Sequence, residues 1–276
     1  MTDLPELTIL LGPQTRVAYA VNAFLRENRS YLGNRGIKAL PSRLASPIVR
    51  RAVDERPVEM RRAEFAEAVA DGPTVLAAIH TFGPPQTGLV RGELFPDAEH
   101  SIAGLGPVAG QARYILAIDP LPEFFIAAAS EPLEEKARRT PWEMLYELSW
   151  FELISGLVEL LPEASFLVLS GRRVGARPQA LETSLVGVMD EPLPSPYALL
   201  RHMISETGIA VLDRMLANGE PDAAMLADLY ASFALTSSMQ ERRERLGIDK
   251  VTGILLEQRF EEDLLAIEAL PRVEVF

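Results

Sequence analysis

The residues equipped for chemistry stand at the ends of apolar runs. Leu7 to Leu11 closes on Gly12-Pro13, and a helical pattern begins almost at once with Thr15, Arg16 and Tyr19. A strand, tight turn and helix in this order present backbone N–H groups to a ligand, and anions favour such a helix N-terminus. Arg16 reads either as a cation reaching that anion or as a solvated charge on the turn. His80 ends the run Thr74 to Ile79, where an imidazole is a general-base candidate near neutral pH or a hydrogen-bonded structural histidine. Asp119 follows the run Ala112 to Ile118, and pairing with Arg16 or Arg113 would close the pocket at the opening turn. Tyr19 either fills that pocket or simply packs. Arg172 and Arg173 lie in Gly171 to Arg177, the most basic short segment, read as a loop that either clamps an anion or is solvated.

Other chemistries are excluded by composition. The chain has 276 residues and no cysteine, which removes disulfides, thiolate catalysis and Cys-type zinc sites. Its three histidines, His80, His100 and His202, show no helical ligand spacing, so no metal is expected. A net charge of −12 argues against nucleic acid as a partner, because that binding is driven by cations. No apolar stretch reaches about 18 residues, and Met1 to Glu6 has no basic leader, so the expectation is a cytoplasmic protein without a membrane span.

The elements that position these residues are read from periodicity. Strands are expected at Leu7–Leu11, Thr74–His80, Ala112–Ile118 and Ser165–Ser170, alternating with helices, among them one over Val17–Gly36 and a long one over Pro141–Leu161. Ile37 to Ser46 reads as loop. The acidic segment Glu261-Glu262-Asp263 reads as an exposed helix face. Four βα repeats predict an α/β fold: a mainly parallel sheet in three layers, flanked by helices, with right-handed crossovers. One domain spanning 1–276 is expected, with a helical C-terminal subregion over about 179–270.

The order of segments resembles the bacterial branch of the P-loop sulfotransferase family. Leu11-Gly12-Pro13, Leu25-Arg26-Glu27-Asn28-Arg29 and Arg35-Gly36-Ile37 stand where that family has its opening strand, helix end and Gly-Ile. Phe95-Pro96-Asp97-Ala98, Leu148-Ser149-Trp150, Leu160-Leu161-Pro162 and Gln258 to Ile267 follow as further landmarks in order. The resemblance implies transfer of a sulfuryl group from 3′-phosphoadenosine 5′-phosphosulfate to a hydroxyl or amine. In the family a Lys-Thr-Gly-Thr-Thr turn cradles the donor. Here Thr15, Arg16, Val17, Ala18 and Tyr19 occupy those places, and β-branched Val17 cannot readily take the positive φ open to glycine. Asp119 stands where the family places an Arg for the 3′-phosphate, and Ala127 where it places a Ser. An acceptor of like charge replaces a fork of donors.

The expected function is therefore that of a sulfotransferase-fold protein that has lost this cofactor, needs none, and acts as a noncatalytic binding or interaction protein. Its partner would be a small molecule or a protein, a second copy of the chain included. The alternative is an active transferase with a remodelled donor site, using Arg16, Arg172 and Arg173 for an anionic donor and His80 as base.

Overall fold

The computed structural model describes residues 6–52, 58–83, 93–105, 110–128, 142–187, 193–194, 197–234 and 248–276. Outside this set fall residues 84–92, the segment Glu131 to Glu135, whose sequence reads as an exposed helix face, the far ends of two helices that the sequence extends from Pro120 to about Ser130 and over Asp222–Glu244, and the side chains of Ala127 and Arg172.

Six strands form one parallel sheet in the order β2-β3-β1-β4-β5-β6. The chain runs β1 (Leu7–Leu11), α1 (Arg16–Glu27), α2 (Arg29–Gly33), β2 (Lys38–Leu40), α3 (Ser42–Ala52), α4 (Val58–Val69) and β3 (Thr74–Ala78). It continues through α5 (Ala98–Ala103), β4 (Arg113–Ile118), α6 (Leu121–Ala128), a 3-10 turn at Trp142–Glu147, α7 (Trp150–Leu160) and β5 (Ser165–Ser170). The last part carries α8 (Gly171–Ala176), α9 (Pro178–Val186), α10 (Ala198–Arg201), α11 (Glu206–Asn218), α12 (Ala223–Phe233), α13 (Lys250–Glu268) and β6 (Val273–Val275). None of the described helices is long and apolar enough to cross a membrane.

Every residue of β1 and β3 is buried, as a parallel sheet covered on both faces requires. Side chains alternate between two cores. Leu10, Ala77, Ala117 and Leu169 meet α1, α9 and α10, whereas Ile9, Leu76, Leu116 and Val168 meet α3, α5, α7 and α13. Helices α11 and α12 close over a smaller core of Leu212, Leu226 and Leu229 with Tyr197 and Leu200.

The step from β1 to β2 runs toward one edge of the sheet, and the later steps run toward the other. Right-handed crossovers then put α1 on one face and α6 on the opposite face. Since β1 and β4 are neighbours, a crevice opens between their C-terminal ends, the place where open α/β sheets take ligands.

Local chemistry moves several boundaries. The expected Val17–Gly36 helix divides at Asn28, whose buried side-chain amide donates to the Phe24 carbonyl at 3.0 Å. Lys38–Leu40, read as loop, is an edge strand paired to β3. Gly171–Ala176, also read as loop, is helix.

The long helix over Pro141–Leu161 breaks at Ser149. There the buried Asp263 carboxylate of α13 accepts from Ser149 Oγ at 2.9 Å and from Trp150 N at 2.7 Å, while Ser149 Oγ accepts from Glu152 N. Asp263 is thus a buried cap for α7, not part of an exposed acidic face. Burial pushes its carboxyl up, opposed by these bonds and by Arg259. Replacing Asp263 by Ala strands two buried donors and is expected to cost about 2–4 kcal/mol. Ser149→Ala removes only the cap and is expected to cost about 1 kcal/mol. Urea denaturation of both variants measures the difference.

Candidate functional site

The crevice is built on Gly12 at the end of β1 and Asp119 at the end of β4. Gly12 has φ +83°, a conformation that side chains resist. A Cβ there would lie 2.3 Å from Cε2 of Phe82, so the ring of Phe82 rests directly on the glycine. Phe82 in turn touches Phe95 at 5.5 Å between ring centroids, Phe95 touches Phe124 at 5.6 Å, and Phe124 meets Trp150 edge-on at 5.3 Å. This aromatic row lines the turn from the α6 side.

Four N–H groups open any helix without an internal partner. In α1, Thr15 N donates to Pro13 O at 2.9 Å, Arg16 N to the Asp119 carboxylate, and Ala18 N to Thr15 Oγ1 at 3.2 Å. The first turn of α1 contains no acidic residue of its own. Asp119 supplies the negative charge that a helix N-terminus favours, from a neighbouring strand. Its backbone carbonyl accepts from Trp150 Nε1 at 2.9 Å, which ties it to the aromatic row. Burial raises the Asp119 carboxyl to about 6, against the opposing pull of the Arg16 charge and N–H. Arg113, the other cation offered by the sequence, is instead bound to Ser184 O at 3.0 Å and Ser184 Oγ at 2.9 Å, with Glu274 at 3.3 Å.

The third wall comes from α8 and α12. A Cβ on Gly171 would stand 3.0 Å from the Tyr230 hydroxyl, 3.5 Å from Asp119 Oδ1 and 3.7 Å from Val17 Cγ2. Gly175 lies flat beneath the Tyr230 ring, with 2.3 Å between its virtual Cβ and Cγ. Two glycines one turn apart therefore admit Tyr230 to the crevice. Asp119, Arg16, Val17 and Tyr230 meet there.

Of the other sequence candidates, only Thr15 stays at this turn. Tyr19 is 46 % exposed on α1, and burial raises its hydroxyl pKa. His80 is exposed beyond the end of β3, where partial burial and then the Arg50 charge hold its pKa below the usual histidine value. Arg173 points away from the crevice and is bonded to Glu268 of α13. Thr15 is fully buried, with its hydroxyl spent on the cap. No cluster of three metal-ligating side chains occurs among the described residues. Sequence reasoning missed Phe82 and Tyr230, for which no local signal exists; the Gly171-to-Gly175 spacing was the available hint.

Compared with protein-family models, curated proteins and solved structures, the chain matches none.

Two outcomes are expected. Gly12→Ala combines a positive φ with a ring clash and should cost about 2–4 kcal/mol. In a Phe82→Ala background the penalty should shrink to the backbone part, about 1–2 kcal/mol. Thermal denaturation of the four proteins in this cycle reads the coupling.

The second outcome concerns pH. An acid with a folded pKa near 6 and an ordinary value of 3.8 holds its proton longer in the folded state. Stability contributed at this position therefore falls as pH rises from about 4 to above 6. Glu182, buried against Ala198 N and Leu199 N and raised to about 7, adds a similar slope. Asp119→Asn should remove its own share, gaining on the wild type between pH 4 and 7. A difference that stays constant with pH would contradict the assignment.

Proposed function

We propose that the chain is a noncatalytic binding or interaction protein on a sulfotransferase-like frame, no longer able to hold 3′-phosphoadenosine 5′-phosphosulfate. The observation that carries this reading is the occupation of most of the α1 N-terminus by groups of the protein itself. Three of the four N–H groups that a phosphate would use are committed to Pro13, Thr15 and Asp119. An incoming phosphosulfate would have to displace a carboxylate of its own charge sign from Arg16, without a Lys to compensate. Phe82 over Gly12 and Tyr230 over Gly171 narrow the approach further.

Isothermal titration with 3′-phosphoadenosine 5′-phosphate tests this. No saturable heat is expected from the wild type at neutral pH, and micromolar affinity would overturn the reading. The second reading, an active transferase, is favoured by one observation. His80 is solvent-exposed with a lowered pKa, so it is neutral at pH 7 and able to accept a proton. On that reading His80→Ala and Arg16→Ala each abolish turnover while circular dichroism stays unchanged.

A further inference from the structure

Charge is sorted along the sheet. Residues 16–52 supply α1, α2, the edge strand β2 and α3, and they carry eight cations against one acid, Glu27. Extending the count through α4 to Asp71 still leaves four positive charges in excess. At the opposite end, residues 145–163 around α7 hold four acids and no cation, and α13 holds five acids against two cations. A chain with a net charge of −12 is thus basic at one end. Repulsion between whole copies is screened beyond about 10 Å at 0.1 M salt, so local charge decides which surfaces meet.

Both ends expose apolar side chains on a helix. Helix α13 buries Leu256, Phe260, Leu264 and Ile267 and turns outward Val251 (67 % exposed), Ile254, Leu255 and Leu265 (65 %). Their spacing places all four on one stripe, with Glu261 and Glu262 between Leu255 and Leu265. Exposed apolar residues gathered in this way and rimmed by charge mark a contact with another molecule. Asp263 is buried as the α7 cap, Glu268 is bonded to Arg173, and Arg259 lies 3.7 Å from Glu262. The stripe therefore stays acidic at Glu261 and Glu262, with one cation on its flank.

Helix α3 covers the same face of the sheet at its other end, over β2 and β3. It buries Ala45, Val49 and Ala52, turns Arg43, Leu44, Pro47, Arg50 and Arg51 outward, and contains no acid. Arg43 and Arg50 have no ion pair with a described residue. The two stripes match in spacing as well as charge. Leu44 stands six and seven residues before Arg50 and Arg51, as Leu255 stands before Glu261 and Glu262, about 10 Å along either helix.

We propose that α13 of one copy docks on α3 of a second copy, side by side and parallel, with Leu255 on Leu44 and with Glu261 and Glu262 opposite Arg50 and Arg51. The two faces differ, so the contact is head to tail, and a bound pair still offers one α3 face and one α13 face; association continues past the dimer. Neither face includes a residue of the crevice at α1, and the assignment holds whether or not that crevice takes a nucleotide.

Sedimentation velocity of the full chain between about 1 and 100 µM tests this, with self-association expected at a Kd on the order of 10 µM and no stop at the dimer. Leu44→Asn with Arg50→Gln spoils the α3 face, and Leu255→Asn with Glu261→Gln spoils the α13 face. All four side chains are exposed, so circular dichroism should not change. Each double variant should self-associate about tenfold more weakly or less. Mixed, the two variants retain one intact face of each kind and should form a 1:1 complex of wild-type affinity that grows no further. A wild type that is monomeric at about 100 µM overturns the proposal, and if that monomer binds phosphatidylserine vesicles through Arg50, the α3 face belongs to an anionic membrane. Loss of association in the α13 variant alone points to a symmetric α13 contact and overturns it too, as does failure of the mixed variants to pair.

Discussion

A helix that points its N-terminus into a crevice leaves backbone donors that must be satisfied, and α1 satisfies three of its four from within the protein. Its own first turn carries no acid, so the charge comes from Asp119 across the β1–β4 boundary. That one carboxylate links much of the molecule. Its N–H partner lies on α1, its carbonyl is held by Trp150 of α7, and its Oδ1 stands beside Gly171 of α8, where Tyr230 of α12 descends. Elements from both faces of the sheet meet at the point where ligands of such sheets normally sit.

The same economy recurs at the start of α7. Asp263 reaches from α13 to Ser149 and Trp150, so the acid that caps α7 lies 114 residues from the serine. At α10, Glu182 of α9 accepts from Leu199 N at 3.2 Å. In each case a carboxylate from another element accepts from N–H groups at the start of a helix. Each therefore trades desolvation of its charge against hydrogen bonds, and each has its pKa pushed up. These three groups make the fold sensitive to pH from the acid side upward, although the chain has only three histidines.

Much of the frame is legible without coordinates. Leu7–Leu11, Thr74–His80, Ala112–Ile118 and Ser165–Ser170 read as strands because a sheet covered on both faces needs unbroken apolar runs, and the structure trims the second to Thr74–Ala78 and the third to Arg113–Ile118. Lys38–Leu40 escaped because three residues beside Pro41 carry no such run; only pairing with β3 makes them a strand. The breaks at Asn28 and Ser149 escaped because helical periodicity continues through them. Asn28 is decided by a local bond to Phe24, Ser149 by a carboxylate far away in the chain.

The opening turn divides along the same line. That Leu7 to Leu11, Gly12-Pro13 and a Thr15 cap form a strand, turn and helix follows from local chemistry, as does the absence of a lysine and hydroxyl pair for a phosphate. That Phe82 covers Gly12, that Asp119 chooses Arg16 over Arg113, and that Arg173 leaves this crevice for Glu268 of α13 was decided by the tertiary structure. The reason is physical. Periodicity and capping act over a few residues, whereas the partner of a buried charge or a glycine surface is set by which strands lie side by side.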